Sequence, residues 1–183
     1  IEIETTRLYR TGKSFWSREN QMLHSFMITL LIQISLLMLF GIKMIPFLLI
    51  HNLFAWWQLT SANYIEHYGL LREQKSDGRY ESCKPHHSWN SNYLLGNLHL
   101  FNLQRHSDHH THPSKRYHML DSYEDLPSLP SGYLGCYLLA YIPWLWFYVM
   151  NKKLIALKHI NHDFSKINIH PGKKDTLVEK YSL

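Results

Sequence analysis

The chain has 183 residues, enough for one ordinary domain, and carries 19 Lys and Arg against 14 Asp and Glu, 14 histidines and two cysteines. Its formal charge of +5 does not point to nucleic acid, because the basic residues flank an apolar stretch instead of forming one dense run with interleaved aromatics. Cys83 and Cys136 lie far apart without a CxxC spacing, which excludes a disulfide framework and a zinc ribbon and reads as two free thiols in a reducing compartment.

Residues 1–21 form a basic segment, with Arg7, Arg10, Lys13 and Arg18 among polar neighbours and no small-residue cleavage pattern of a secretory signal. This, with the missing initiating Met, fits a segment of a longer protein. Residues 22–71 read as a transmembrane helical hairpin. From Ser25 to Ile42 the only polar side chains are Ser25, Thr29, Gln33 and Ser35, over about the length that crosses a bilayer core. A turn at Gly41-Ile42-Lys43 leads to a second apolar stretch from Met44 towards Tyr64, interrupted by His51, Asn52, Gln58 and Thr60, with Pro46 in a first-turn position. The alternative is a pair of helices buried in a large soluble core. Basic residues before the hairpin (Arg7 to Arg18) and after it (Arg72, Lys75, Arg79, Lys84) put both ends in the cytoplasm by the positive-inside rule. His67 then stands at the cytoplasmic mouth of the second span, where it and Glu66 are ionisable groups near membrane depth and functional candidates on that ground. Trp56 and Trp57 read as lipid-facing or packing residues, with substrate contacts as the alternative.

Residues 72–132 follow as a cytoplasmic region. Gly78, Pro85 and clustered polar residues make 74–93 a loop, in which His87 reads as a structural or supporting residue and His86 as a surface one. Gly and Pro are absent from Leu98 to His112, which allows a helix there. Such a helix brings His106, His109 and His110 onto one face. An all-imidazole site suits iron, copper, zinc or nickel rather than calcium or magnesium. Asp108 and Arg105 are candidates for holding a ligating ring in one tautomer and orientation. A polar surface helix in a histidine-rich chain is the alternative. His24, His51, His99, His112 and His118 read as structural or surface residues. Leu126 to Gly135 is a rigid connector, and residues 133–150 form an aromatic, apolar stretch with Pro143 in its middle that reads as an interfacial or re-entrant helix, with a span as the alternative. Lys152, Lys153 and Lys158 then suit an anionic leaflet, and the polar tail to residue 183 carries no motif.

Two stretches carry a resemblance. LQRHSDHH followed by HPSKRY (103–117) resembles the last histidine box of the integral-membrane alkane monooxygenases, and NYIEHYGLLRE (63–73) resembles the other motif of that family; HSWNSN (87–92) and LPSGYLG (129–135) look familial too. The resemblance implies an all-α integral membrane fold in the inner membrane, multi-pass, with the metal site on the cytoplasmic side. It also implies a non-haem di-iron enzyme that hydroxylates the terminal carbon of n-alkanes with O2, drawing electrons from rubredoxin reduced by an NADH-dependent reductase. His67, His106, His109 and His110 match family ligand positions of the two Fe ions. The family's earlier boxes, of HxxxH and HxxxHH type, precede this region and are not among these 183 residues. Four ligands do not complete a histidine-only pair of irons, so the expectation is a carboxy-terminal fragment, inactive alone. A hydroxylase of methyl-arenes, a lipid desaturase and a non-catalytic metal-binding module are the rival readings.

Overall fold

The computed structural model describes residues 2–181. Among them the chain forms helices, short 3₁₀ turns and isolated bridges, with no extended strand, and it divides into two compact units, Ile1–Trp57 and Gln58–Leu183.

The first unit holds α1 (Glu2–Arg10), α2 (Gln21–Phe40) and the opening turns of α3 (Met44–His67). Asn20 caps α2: its side-chain oxygen accepts from the N–H groups of Met22 (3.0 Å) and Leu23 (3.2 Å), two donors that the first turn otherwise leaves open. At the other end the Gly41 N–H donates to Leu37 O, and Gly41 takes φ +76°, a left-handed value that glycine adopts without strain. The Gln33 amide donates to Asn52 Oδ1 at 3.2 Å, so the polar residues of the two apolar stretches satisfy each other. Among the described helices α2 is the one long and apolar enough to cross a membrane, and none of its residues is buried. α3 is longer, at 24 residues, but His51, Asn52, Gln58, Thr60 and Asn63 lower its hydropathy, so length and composition single out one helix where a pair was expected.

The second unit is built round the last turns of α3. Trp89 and Trp146 are fully buried beside Ile65, Met150 and Ile160, and the Trp89 indole N–H donates to Tyr68 O at 2.8 Å, which gives its one polar atom a partner. The tail contributes more than its polarity suggests. Ile167 is buried and pairs with Leu70 across an antiparallel bridge, and the Asn168 N–H donates to Gly69 O.

Two expected helices are broken. The one allowed from 98 to 112 is instead α4 (Leu94–His99) and α5 (His106–Thr111), separated by Phe101 and Asn102 at φ +51° and +60°. The cause is Gln104, whose fully buried amide donates to Tyr93 O (2.9 Å) and Asn97 Oδ1 (2.7 Å) and reaches them only if the chain folds back. Gly96 leaves the room, since a Cβ there would overlap the Gln104 amide. The aromatic stretch expected as one helix is likewise two, α6 (Tyr133–Ala140) and α7 (Pro143–Ile155). Pro143 lacks an N–H and disfavours helical backbone at Ile142, which lies at φ −113°, ψ 82°. α8 (Lys174–Tyr181) ends the described chain.

Candidate metal centre

His67 is the last residue of α3, and its Nδ1–H donates to the carbonyl oxygen of His87 at 3.0 Å. A carbonyl only accepts, so Nδ1 carries a proton and Nε2 is the ring nitrogen left to face a metal. Three neighbouring interactions hold that carbonyl in place. The Trp89 N–H donates to Glu66 O (2.8 Å), which ties the segment to the helix end. Asn90 and Ser107 pair twice, through Asn90 Nδ2 to Ser107 Oγ (2.6 Å) and Ser107 N–H to Asn90 Oδ1 (2.9 Å). The backbone of Asn90 in turn bonds Pro127 and Leu129. The four motifs at 63–73, 87–92, 103–117 and 129–135 are therefore one interlocked support.

Into that support α5 delivers His106 and His110, one turn apart on the same face. His106 Nε2 lies 3.3 Å from His67 Nε2 and 2.8 Å from His110 Nε2, and the three ligand atoms all fall within 4.8 Å of one another. Burial, then the charges of His110 and His67, pulls His106 down to about 3. Burial, then His67 and His109, pulls His110 down to about 4. Both rings are neutral at ordinary pH, which is the form that binds metal. Neutral nitrogens this close, one with its lone pair fixed towards the others, suit a cation between them. The donor set thus fits a transition-metal ion on its chemistry. Glu66 adds a buried carboxylate, whose Oε2 sits 3.3 Å from His106 Nε2.

His109 is placed differently. Its ring centroid is 5.9 Å from that of His106 and 5.6 Å from that of His110, and its nitrogens lie outside the three-atom cluster. Asp108 and Arg105 do not orient a clustered ring. Asp108 accepts from His112 Nδ1 (2.8 Å), Lys115 Nζ (2.7 Å) and the Asp121 N–H (2.8 Å), and Arg105 donates to Leu120 O and Asn92 Oδ1. They secure the following loop instead. The orienting group expected of a side chain is the His87 carbonyl; the HSWN motif pointed to the region, but not to a backbone atom. His86 is half-buried against His159, with ring centroids 4.8 Å apart, and not a surface residue. A cavity of about 500 Å³ opens beside His67 and His110, with Arg72, Tyr80 and Cys83 on its other wall.

Residues 2–138 match the family model described as fatty acid desaturase. The chain belongs to the fatty acid desaturase family. Within it, the chain is 51% identical over 180 residues to an alkane 1-monooxygenase of Pseudomonas putida, covering 98% of this chain and 44% of that protein. It is 48% identical over 181 residues to alkane 1-monooxygenase 1 of Alcanivorax borkumensis, at 99% and 44% coverage. The xylene/toluene monooxygenase hydroxylase component XylM of Pseudomonas putida is 28% identical over 176 residues, at 96% and 44%. The chain therefore spans less than half the length of these curated relatives.

Proposed function

We propose that this chain supplies one part of the metal centre of a membrane-bound, non-haem di-iron monooxygenase that hydroxylates the terminal carbon of medium- and long-chain n-alkanes. The observation that carries the reading is the meeting of His67, His106 and His110 Nε2 from two motifs 39 residues apart, in a chain about half identical to alkane 1-monooxygenases along its whole length. Iron with dioxygen supplies the oxidising power that an unactivated C–H bond requires and that no side chain has. His67, His106 and His110 hold one ion, the His87 carbonyl fixes the His67 ring, and His109, whose nitrogens lie outside that cluster, serves a second ion whose other ligands lie outside these 183 residues. α2 and α3 cross the inner membrane as a hairpin with the site at its cytoplasmic end, where a lipid-soluble substrate reaches it without crossing water. One oxygen atom enters the terminal methyl and the other leaves as water, with electrons from rubredoxin.

The test is oxidation of octane and of p-xylene by a protein in which this chain is joined to the remaining length its relatives carry. Octanol formation that is lost in His67→Ala supports the reading. Preferential attack on p-xylene would move the assignment to methyl-arenes, against which the 28% identity to XylM counts beside 51% to the alkane enzyme.

A further inference from the structure

α6 and α7 run in opposite senses along the last turns of α3. At its start α6 is level with the metal site, since Tyr133 abuts the Glu66 carboxylate. Further on, the Tyr137 hydroxyl reaches Gln58 O (3.4 Å) and Tyr141 meets the Ser61 hydroxyl (2.7 Å), nine and six residues back along α3 from His67. α7 then returns. Trp146 packs on Tyr64 and Tyr68, Asn151 accepts from the Tyr68 hydroxyl (2.6 Å), and Leu154 covers Gly69. At 1.5 Å per residue the turn between them lies about 9–14 Å below the level of His67, short of the ~30 Å of a hydrocarbon core.

We propose that α6 and α7 form a re-entrant helical hairpin that dips into the cytoplasmic leaflet of the bilayer beside α3 and leaves on the side it entered. Three features point to lipid as its occupant. From Tyr133 to Asn151 no side chain is charged, and the first charges, Lys152 and Lys153, come where α7 regains the level of Tyr68. The hairpin is apolar on both sides: Cys136, Trp146 and Met150 face the core, while Leu134, Leu138 and Trp144 are 76%, 64% and 73% exposed. A helix pair apolar all round belongs in a core or a membrane. Finally, the reversal pairs most of its own N–H groups, which lowers the cost of placing it in lipid. Tyr141 and Ile142 N–H donate to Tyr137 O and Leu139 O, Leu145 and Trp146 N–H both donate to Ile142 O, and Pro143 has no N–H to satisfy.

This inference rests on α2 and α3 crossing the membrane, and the experiment separates the two. Single cysteines are placed at Ile142, Trp144, Glu124 and Ile42 in the full-length parent protein with Cys83→Ser and Cys136→Ala, and treated with a membrane-impermeant maleimide in spheroplasts and in inverted membrane vesicles. Glu124→Cys should label only in inverted vesicles and Ile42→Cys only in spheroplasts; labelling of both from one side would remove the span itself. Ile142→Cys and Trp144→Cys should label in neither until detergent is added. Labelling of either in inverted vesicles would put the hairpin in water, and labelling in spheroplasts would make it a span. To separate lipid from a covering protein segment, a fluorophore on Trp144→Cys is reconstituted with brominated phosphatidylcholine. Quenching by acyl-chain bromine is expected, and its absence would overturn the proposal.

Discussion

Asp108 shows how much of the candidate site depends on a single buried charge that never touches a metal-facing ring. Its carboxylate is 1% exposed and gathers Lys115, His112 and the Asp121 N–H from three points on the loop that follows the histidines. Burial alone would raise its pKa, but the Lys115 ammonium, the Asp121 N–H and the His112 ring bring it down to about 2. Asp108→Asn keeps the shape and removes the charge, and should cost about 2–3 kcal/mol, seen as a fall in thermal midpoint in detergent. An unchanged midpoint would mean that the ion pair is merely tolerated. His87 sets a pH dependence with the opposite chemistry. Burial, then the His86 ring, pulls it from 6.5 to about 4. The unfolded chain takes up its proton first, so the stability this neutral ring provides is complete above about pH 6.5 and is lost as pH falls from there towards 4. Thermal midpoints measured from pH 7 to 4 should decline less steeply in His87→Gln than in the unsubstituted protein; parallel slopes would contradict the assignment. At this scale the compact motifs draw attention to His67, His106 and His110, whereas His109, read with them, lies outside the group they form. The His87 carbonyl and the Asn90–Ser107 pair stay hidden, since they arise only when segments 17 and 20 residues apart meet.

Among the elements, the join between α3 and α7 is the most demanding. Gly69 takes φ +70°, and a Cβ there would overlap the Leu154 side chain. Gly69→Ala should therefore destabilise by about 1–3 kcal/mol, from left-handed strain and overpacking together. Leu154→Ala relieves only the overlap, so the double variant should lose less than the sum of the two single losses, a non-additivity that a thermal or denaturant series reads directly. Strict additivity would show that the two residues do not share the space. Pro143 stands in the sequence where the break falls, yet the stretch reads as one helix. That the two halves fold back on each other along α3 was not legible, because it follows from Tyr137, Tyr141 and Asn151 finding partners about 80 residues away. The break after His99 was equally unannounced, since its cause is a buried glutamine in an ordinary-looking helical stretch.

At the scale of the whole molecule, the chain joins an apolar unit made of helices with exposed surfaces to a unit that carries the histidines and a packed core. The fatty acid desaturase family match over residues 2–138 covers parts of both units, and so does the likeness to alkane 1-monooxygenases. The long apolar helix was readable from residue order alone, whereas the all-helical class and the two principal histidine motifs came with the family resemblance. The second stretch reads as a span too, but residues such as His51 and Asn52 lower its hydropathy, and among the described helices α2 alone is long and apolar enough to cross a membrane. In the proposed function, His67, His106 and His110 hold one metal ion of a di-iron pair. The most direct test of this is metal analysis of the purified parent protein beside His67→Ala, His106→Ala and His110→Ala, with the exposed His118→Ala as control. The account predicts about two irons per chain in the unsubstituted protein and the control, and about one or fewer in each of the three variants. Zinc in place of iron, or iron that survives all three substitutions, would contradict it.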